Sequence, residues 1–121
     1  MQKLILVVDD NSVNLTVAAL ALENDYLVLT MPSAKRMFAL LEKKQPDLIL
    51  LDIEMPEISG FEAIAKLKEH PVWKDIPVIF LTGWGGVDIN SRALEMGALE
   101  VLFKPFEPSA LRDCVKKYIK A

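Results

Sequence analysis

The chain has 121 residues, of which 52% are hydrophobic and 26% are charged, a composition that fits one folded domain and excludes a disordered chain. Its net charge is −3, and its lysines and arginines are scattered along helical segments, which argues against direct binding of nucleic acid. The first apolar run stops at two aspartates, and no run approaches the roughly 20 residues of a membrane helix. We therefore expect one cytoplasmic domain over 1–121 that does not contact a membrane.

Five short apolar runs follow one another along the chain, at 4–8, 27–31, 48–51, 78–81 and 101–103. Near-continuous apolar strands of this length are typical of a sheet that is covered on both faces. The segments between them place apolar residues at helical spacing, and Ser33 and Pro108 indicate the starts of two helices. Five repeats of a strand followed by a helix predict an α/β domain with a parallel sheet and right-handed crossovers.

Polar side chains follow four of these strands at the point where each strand ends. Asp9 and Asp10 follow the first strand, Asp52 the third, Thr82 the fourth and Lys104 the fifth. The functional crevice of an open α/β sheet lies at the carboxyl ends of its strands. We therefore expect these five side chains to meet at one edge of the sheet.

Each of these residues alone is common as a turn former or a helix cap, but the combination predicts chemistry. Three carboxylates in one crevice repel one another unless a cation offsets their charge. Oxygen ligands without a nearby histidine or cysteine favour Mg²⁺ over Zn²⁺, while a lysine and a hydroxyl supply donors for an anion. A carboxylate nucleophile, Mg²⁺, an ammonium group and a hydroxyl are the groups that phosphoryl transfer uses.

The chain resembles the receiver domains of bacterial response regulators in four motifs, which occur in the family's order and span essentially the whole chain. The motifs are VVDDN at 7–11, LDIEMP at 51–56 with Gly60 following, FLTG at 80–83 and KPF at 104–106. The resemblance implies a CheY-like, flavodoxin-like fold: one doubly wound domain with a five-stranded parallel sheet of order 2-1-3-4-5 and five helices. It also implies a switch in a two-component or phosphorelay system and not an enzyme, because its only chemistry is its own phosphorylation and slow dephosphorylation.

The same resemblance assigns roles to the residues at the strand ends. Asp52 would take a phosphoryl group from a phosphohistidine of a histidine kinase or a histidine phosphotransfer protein. Thr82 would bond a phosphoryl oxygen, and Lys104 would pair with the phosphoryl group. The Lys104–Pro105 peptide bond is expected to be cis, and Asn11 is expected to cap the first helix.

The resemblance also implies a metal site beside the phosphoacceptor. Asp10, Asp52 and the backbone carbonyl of Glu54 would hold Mg²⁺, and Asp9 would support the ion through water. Gly60 would permit the turn into the third helix.

Two features depart from the family's pattern. Val101 stands three residues before the lysine, where the family usually has an aromatic ring that moves inward with the threonine, and Phe103 is expected in the core. Trp84 lies in a glycine-rich segment and is expected either to cover the phosphorylation site or to pack on the fourth helix or a partner. Trp73 is expected to be structural, and His70 to be a cap or a surface residue.

Two partners are expected. The protein that carries the phosphohistidine is expected to contact the first helix, and an unidentified output partner is expected to contact the surface near the fourth helix and fifth strand. A monomer or a weak phosphorylation-dependent dimer is expected. One alternative is a phosphohydrolase with an aspartate nucleophile. Such enzymes have an Asp-x-Asp pattern after the first strand, whereas the two aspartates of this chain, Asp9 and Asp10, are adjacent. A second alternative, a receiver portion excised from a larger regulator or hybrid kinase, stays open.

Overall fold

The computed structural model describes residues 2–83 and 87–120, which form five strands, five α-helices and a short 3-10 helix. The strands are β1 (Leu4–Val8), β2 (Leu27–Met31), β3 (Leu48–Asp52), β4 (Val78–Thr82) and β5 (Glu100–Phe103). The α-helices are α1 (Ser12–Leu22), α2 (Ala34–Leu41), α3 (Gly60–Glu69), α4 (Val87–Glu95) and α5 (Pro108–Tyr118), and the 3-10 helix is Trp73–Asp75. None of the helices in this described part is long and apolar enough to cross a bilayer.

The five strands form one parallel sheet of order β2-β1-β3-β4-β5, which confirms the order that the resemblance implied. A hydrophobic cluster lies on each face: Leu6 and Val8 belong to one cluster, while Ile5 and Val7 belong to the other. Because successive side chains of a strand point to opposite faces, both faces of β1 are covered. This explains the near-continuous apolar runs in the sequence.

Side-chain caps fix where several helices begin. Asn11 accepts hydrogen bonds from two backbone amides in the first turn of α1, as expected, and Ser33 caps α2. Ser59 and Glu62 form a capping box at the start of α3. Pro108 stands in the first turn of α5, where its fixed backbone suits a helix start.

The buried Cys114 of α5 contacts the start of β5. Its thiol donates to Glu100 Oε2 at 2.6 Å, and Lys117 Nζ lies 2.6 Å from Glu100 Oε1. Burial raises the pKa of the Cys114 thiol to about 12, and the hydrogen bond and charge of Glu100 act in the same direction. Just beyond the helix, the backbone carbonyl of Ile119 accepts a hydrogen bond from the buried Tyr26 hydroxyl. These contacts join α5 to the sheet and to the segment before β2.

The aromatic side chains near the ends of β5 and α3 differ in how they pack. Phe103 is 42% exposed, whereas Val101 is buried. The expectation of Phe103 in the core was wrong because it ends β5, an edge strand with a sheet neighbour on one side only. His70 caps the end of α3, and its ring stacks on Trp73 with 3.7 Å between centroids. Trp73 in turn packs against the core, which confirms the structural role expected for it.

Candidate functional site

The sheet brings the five predicted side chains to one edge. Asp9 and Asp10 follow β1, Asp52 and Thr82 end the neighbouring strands β3 and β4, and Lys104 follows β5. Asp9, Asp52 and Thr82 are buried although they are polar, whereas Asp10 is exposed. Because a buried polar group destabilises the fold unless it is bonded, the partners of these side chains define what the site can do.

Lys104 lies between two of the carboxylates. Its Nζ is 2.9 Å from Asp9 Oδ2 and 2.9 Å from Asp52 Oδ1. Burial would lower the pKa of Lys104, but the two neighbouring carboxylates of Asp9 and Asp52 outweigh burial and raise this pKa above its usual value. Lys104 therefore stays protonated and neutralises part of the acidic charge. The Lys104–Pro105 peptide bond that follows is cis, as expected.

Asp52 is held in an environment that disfavours its charged form. Burial raises the pKa of Asp52 to about 7 despite the hydrogen bond from Lys104, and the charges of Asp9 and Glu54 act in the same direction as burial. A cation bound beside Asp52 would oppose this shift, because an opposite charge favours the ionised carboxylate. The site is therefore short of positive charge.

The three aspartates fit a hard divalent cation. Asp9, Asp10 and Asp52 each offer a carboxylate oxygen, and these oxygens lie within 4.8 Å of one another. Asp9 Oδ1 accepts a hydrogen bond from the backbone amide of Asn11 at 2.9 Å, while the buried Oδ2 faces Lys104 without a well-directed hydrogen bond. Three carboxylates against one ammonium leave net negative charge, and an all-oxygen ligand set suits Mg²⁺.

Glu54 makes contacts that the sequence analysis missed. Its side chain accepts a hydrogen bond from the Thr82 hydroxyl at 2.6 Å and another from the backbone amide of Gly83 at 2.8 Å. Its own backbone amide lies 3.3 Å from Asp52 Oδ1, to which it donates. The signal in the sequence was an acidic residue two positions after Asp52, but nothing in the sequence indicated that its carboxylate bonds Thr82 and Gly83.

Gly60 lets α3 begin close to the end of β3. A Cβ at this position would lie 2.5 Å from the carbonyl oxygen of Asp52 and 2.7 Å from Cα of Ile53. Both neighbours are backbone atoms, so any side chain would push α3 away from the end of β3. The role predicted for Gly60 in the turn into this helix thus rests on a close approach of two backbone segments. Trp84 lies outside the described residues, so its two expected positions stay predictions.

Comparisons with known proteins place these features in a family. The family model of the response regulator receiver domain matches residues 5–116. Sporulation initiation phosphotransferase F of Bacillus subtilis is 31% identical over 120 residues, which cover 98% of this chain and 95% of that protein. The phosphate regulon transcriptional regulatory protein PhoB of Pseudomonas aeruginosa is 39% identical over 119 residues, 98% of this chain and 52% of that protein. The chain spans 26% of a probable cyclic di-GMP phosphodiesterase of Vibrio cholerae that is 36% identical over 116 residues, 96% of this chain.

Solved structures share the same architecture. Chemotaxis protein CheY4 of Vibrio cholerae has a TM-score of 0.92 at 25% identity, covering 98% of this chain and 100% of that chain. The BeF3-activated DrrB receiver domain has a TM-score of 0.88 at 27% identity, covering 100% of both chains. The family match contains every predicted site residue from Asp9 to Lys104, and the chain therefore belongs to the response regulator receiver domain family.

Proposed function

We propose that residues 1–121 act as one receiver domain that takes a phosphoryl group onto Asp52 from a phosphohistidine of a histidine kinase or a histidine phosphotransfer protein. The observation that carries this proposal is the setting of Asp52. Its buried carboxylate lies 2.9 Å from Lys104 Nζ and shares a cluster of carboxylate oxygens with Asp9 and Asp10. A nucleophile, a cation site and an ammonium group thus share one crevice, as phosphoryl transfer requires.

In the proposed step an oxygen of Asp52 forms a bond to phosphorus. The phosphorus–nitrogen bond of the donor breaks, and its electron pair returns to the imidazole. Before the transfer, Lys104 is paired with Asp52. After the transfer it pairs with the phosphoryl oxygens, and the Thr82 hydroxyl donates a hydrogen bond to one of them. Both groups act where negative charge collects during the transfer.

Mg²⁺ is the proposed cofactor, held by Asp10, Asp52 and the backbone carbonyl of Glu54, with Asp9 supporting the ion through water. When bound, it supplies positive charge that offsets the phosphoryl and carboxylate oxygens. The raised pKa of Asp52 supports this assignment, because without a cation a large fraction of the carboxyl is protonated near neutral pH, and a protonated carboxyl is a poor nucleophile.

The exposed face of α1 supports the proposed contact with the phosphohistidine donor. Val13 is 66% exposed and Leu20 is 61% exposed, and their spacing of seven residues puts them on one face of the helix. The helix begins two residues after Asp10. Large exposed apolar side chains beside a reactive crevice favour a protein-binding surface.

The proposed output is a change in partner binding in the cytoplasm, without direct binding to nucleic acid or a membrane. The only chemistry that we propose is phosphorylation of the domain itself and slow hydrolysis, in a monomer or a weak phosphorylation-dependent dimer. The relatives include a transcriptional regulator, a probable phosphodiesterase and a phosphotransferase. Because the chain spans 26% and 52% of two of these relatives, the receiver portion of a larger regulator or hybrid kinase is the second candidate.

A direct test is to incubate the protein with phosphoramidate and Mg²⁺ and to measure its intact mass. One phosphoryl group that is stable to acid and labile to base is expected, and chelation of Mg²⁺ should prevent its formation. Asp52→Asn should abolish the adduct, whereas Asp113→Asn, the same change at an exposed position of α5, should keep it. An unchanged adduct in Asp52→Asn would show that another residue accepts the phosphoryl group.

A further inference from the structure

We propose that Glu54 is a positioning residue, whose side chain holds two hydrogen-bond donors in the unphosphorylated domain, the Thr82 hydroxyl and the Gly83 backbone amide. Glu54 has to release both donors before a phosphoryl group on Asp52 can accept from them. This inference rests on the proposed phosphorylation of Asp52. Its basis is that both carboxylate oxygens of Glu54 are engaged at the site. Oε2 accepts from Thr82 Oγ1 at 2.6 Å, and Oε1 accepts from the Gly83 backbone amide at 2.8 Å.

A carboxylate competes with a phosphoryl group for these donors because both present negatively charged oxygens. The Thr82 hydroxyl is the donor proposed for the phosphoryl group, and the Gly83 amide is the next donor along the chain. One carboxylate bonds both groups, with one oxygen for each. Hydrogen bonds to an ionised acceptor are short and stronger than those between neutral groups, so their release has a substantial free-energy cost.

Lys104 is engaged in a similar way but is released by different means. Its Nζ contacts the carboxylates of Asp9 and Asp52. Because Asp52 itself receives the phosphoryl group, Lys104 can follow the charge from the carboxylate to the phosphoryl oxygens without leaving the site. Glu54 is not modified by the reaction, so its side chain has to move away from Thr82.

The structure provides space for this movement. A cavity of about 480 Å³ is lined by Glu54 and Phe61 and by Arg92 of α4. The guanidinium carbon of Arg92 lies 4.0 Å from the centroid of the Phe61 ring. A Glu54 carboxylate that leaves Thr82 therefore has room and a positively charged neighbour in the same cavity. Because Arg92 belongs to α4, the release of Glu54 would change the surroundings of that helix.

Beryllium fluoride with Mg²⁺ tests the proposal, since it activates a related receiver domain and can compete for the same donors. Calorimetric titration of Glu54→Ala is expected to give a dissociation constant about tenfold lower than that of the wild type, equivalent to about 1.4 kcal/mol. Glu54→Asp keeps the charge but shortens the side chain, and it should also bind more tightly. Glu57→Gln removes the same charge from an exposed position of the same loop, and it should match the wild type. In a Thr82→Val background the gain from Glu54→Ala should shrink, because one of the two held donors is absent.

Amide NMR distinguishes the loss of the hydrogen bond between Glu54 and Gly83 from a general change of the structure. Without any ligand, the Gly83 amide resonance of Glu54→Ala should shift upfield as its hydrogen bond is lost, with little change in the core strands. Equal or weaker beryllium fluoride binding by Glu54→Ala would overturn the proposal, and so would an equal gain in Glu57→Gln, which would indicate a general effect of charge. Either result would leave the proposed function intact as long as the wild type binds the probe. A wild type that neither binds the probe nor forms an adduct at Asp52 would refute the proposed function and this inference together.

Discussion

The titration of Asp52 should make the metal-free domain less stable as the pH rises from acidic to neutral values. Burial is the main cause that raises the pKa of Asp52 from 3.8 to about 7. Between these two values the folded state binds a proton that the unfolded state has lost. The stability contributed by this group is therefore fully present below the unfolded pKa and is lost as the pH rises through about 7.

The size of the effect follows from the two pKa values. The change from 3.8 to about 7 corresponds to roughly 4 kcal/mol, at about 1.4 kcal/mol for each tenfold change in the ionisation constant. Asp52 is only 1% exposed, so solvent screens little of this free energy. A loss of this size is a large fraction of the roughly 5–15 kcal/mol that stabilises a typical domain.

Urea unfolding in EDTA at pH 5 and pH 8 measures the part of this loss that falls between pH 5 and the folded pKa of about 7, roughly 3 kcal/mol. Asp52→Asn removes the titrating group with little change of shape, so it should remove most of the difference between the two pH values and be more stable than the wild type at pH 8. Mg²⁺ should stabilise the wild type more at pH 8 than at pH 5, because the proposed ion would bind the ionised carboxylates of the folded state. Asp113→Asn should keep the wild-type dependence. Parallel curves for the wild type and Asp52→Asn would show that Asp52 does not hold the additional proton.

Three further changes test other parts of the site. Asp10→Ala removes one of three repelling carboxylates, so it should raise the melting temperature of the metal-free domain and weaken its response to Mg²⁺; a lower melting temperature with an intact response would place the cation elsewhere. Gly60→Ala puts a Cβ 2.5 Å from a backbone oxygen and should destabilise the domain by about 1–3 kcal/mol in urea unfolding. Its control is Gly83→Ala, whose Cβ would have its nearest neighbour at 3.6 Å, and equal stability of the two variants would show that α3 shifts freely. If the Trp84 indole excludes water from Asp52, Trp84→Ala should lose the phosphoryl group several-fold faster than the wild type, a change of about 1 kcal/mol in the barrier to hydrolysis. Equal rates of loss, followed by intact mass, would favour a role of Trp84 in partner contact.

The sequence was a reliable guide wherever the backbone alone decides the outcome. The apolar runs identified all five strands, because a sheet covered on both faces leaves little room for polar alternation. The meeting of Asp52 with Lys104 was predictable in the same way, since the carboxyl ends of parallel strands share one edge. The resemblance added the strand order and the cis bond before Pro105, neither of which follows from the pattern of apolar residues.

The sequence did not predict side-chain contacts that depend on how the loops and strand ends pack. Glu54 follows β3 on an irregular segment, and nothing in the residue pattern indicates that its carboxylate reaches the end of β4. Phe103 has the alternation of a core residue, but alternation does not show whether another element covers the end of an edge strand. The stacking of His70 on Trp73 depends on the path of the chain between α3 and the 3-10 helix, which short-range patterns do not determine.

The environment of Cys114 has a practical consequence for labelling experiments. Electrophilic dyes and spin labels react with the thiolate, and a thiol with a pKa of about 12 presents it in only about one molecule in 10⁵ at neutral pH. A second cysteine introduced at an exposed position outside α1, such as Val72→Cys, would therefore react far faster than the native one. Fluorescent or paramagnetic reporters of donor docking can thus be attached at one chosen place while the native cysteine, and its contact with β5, stay intact.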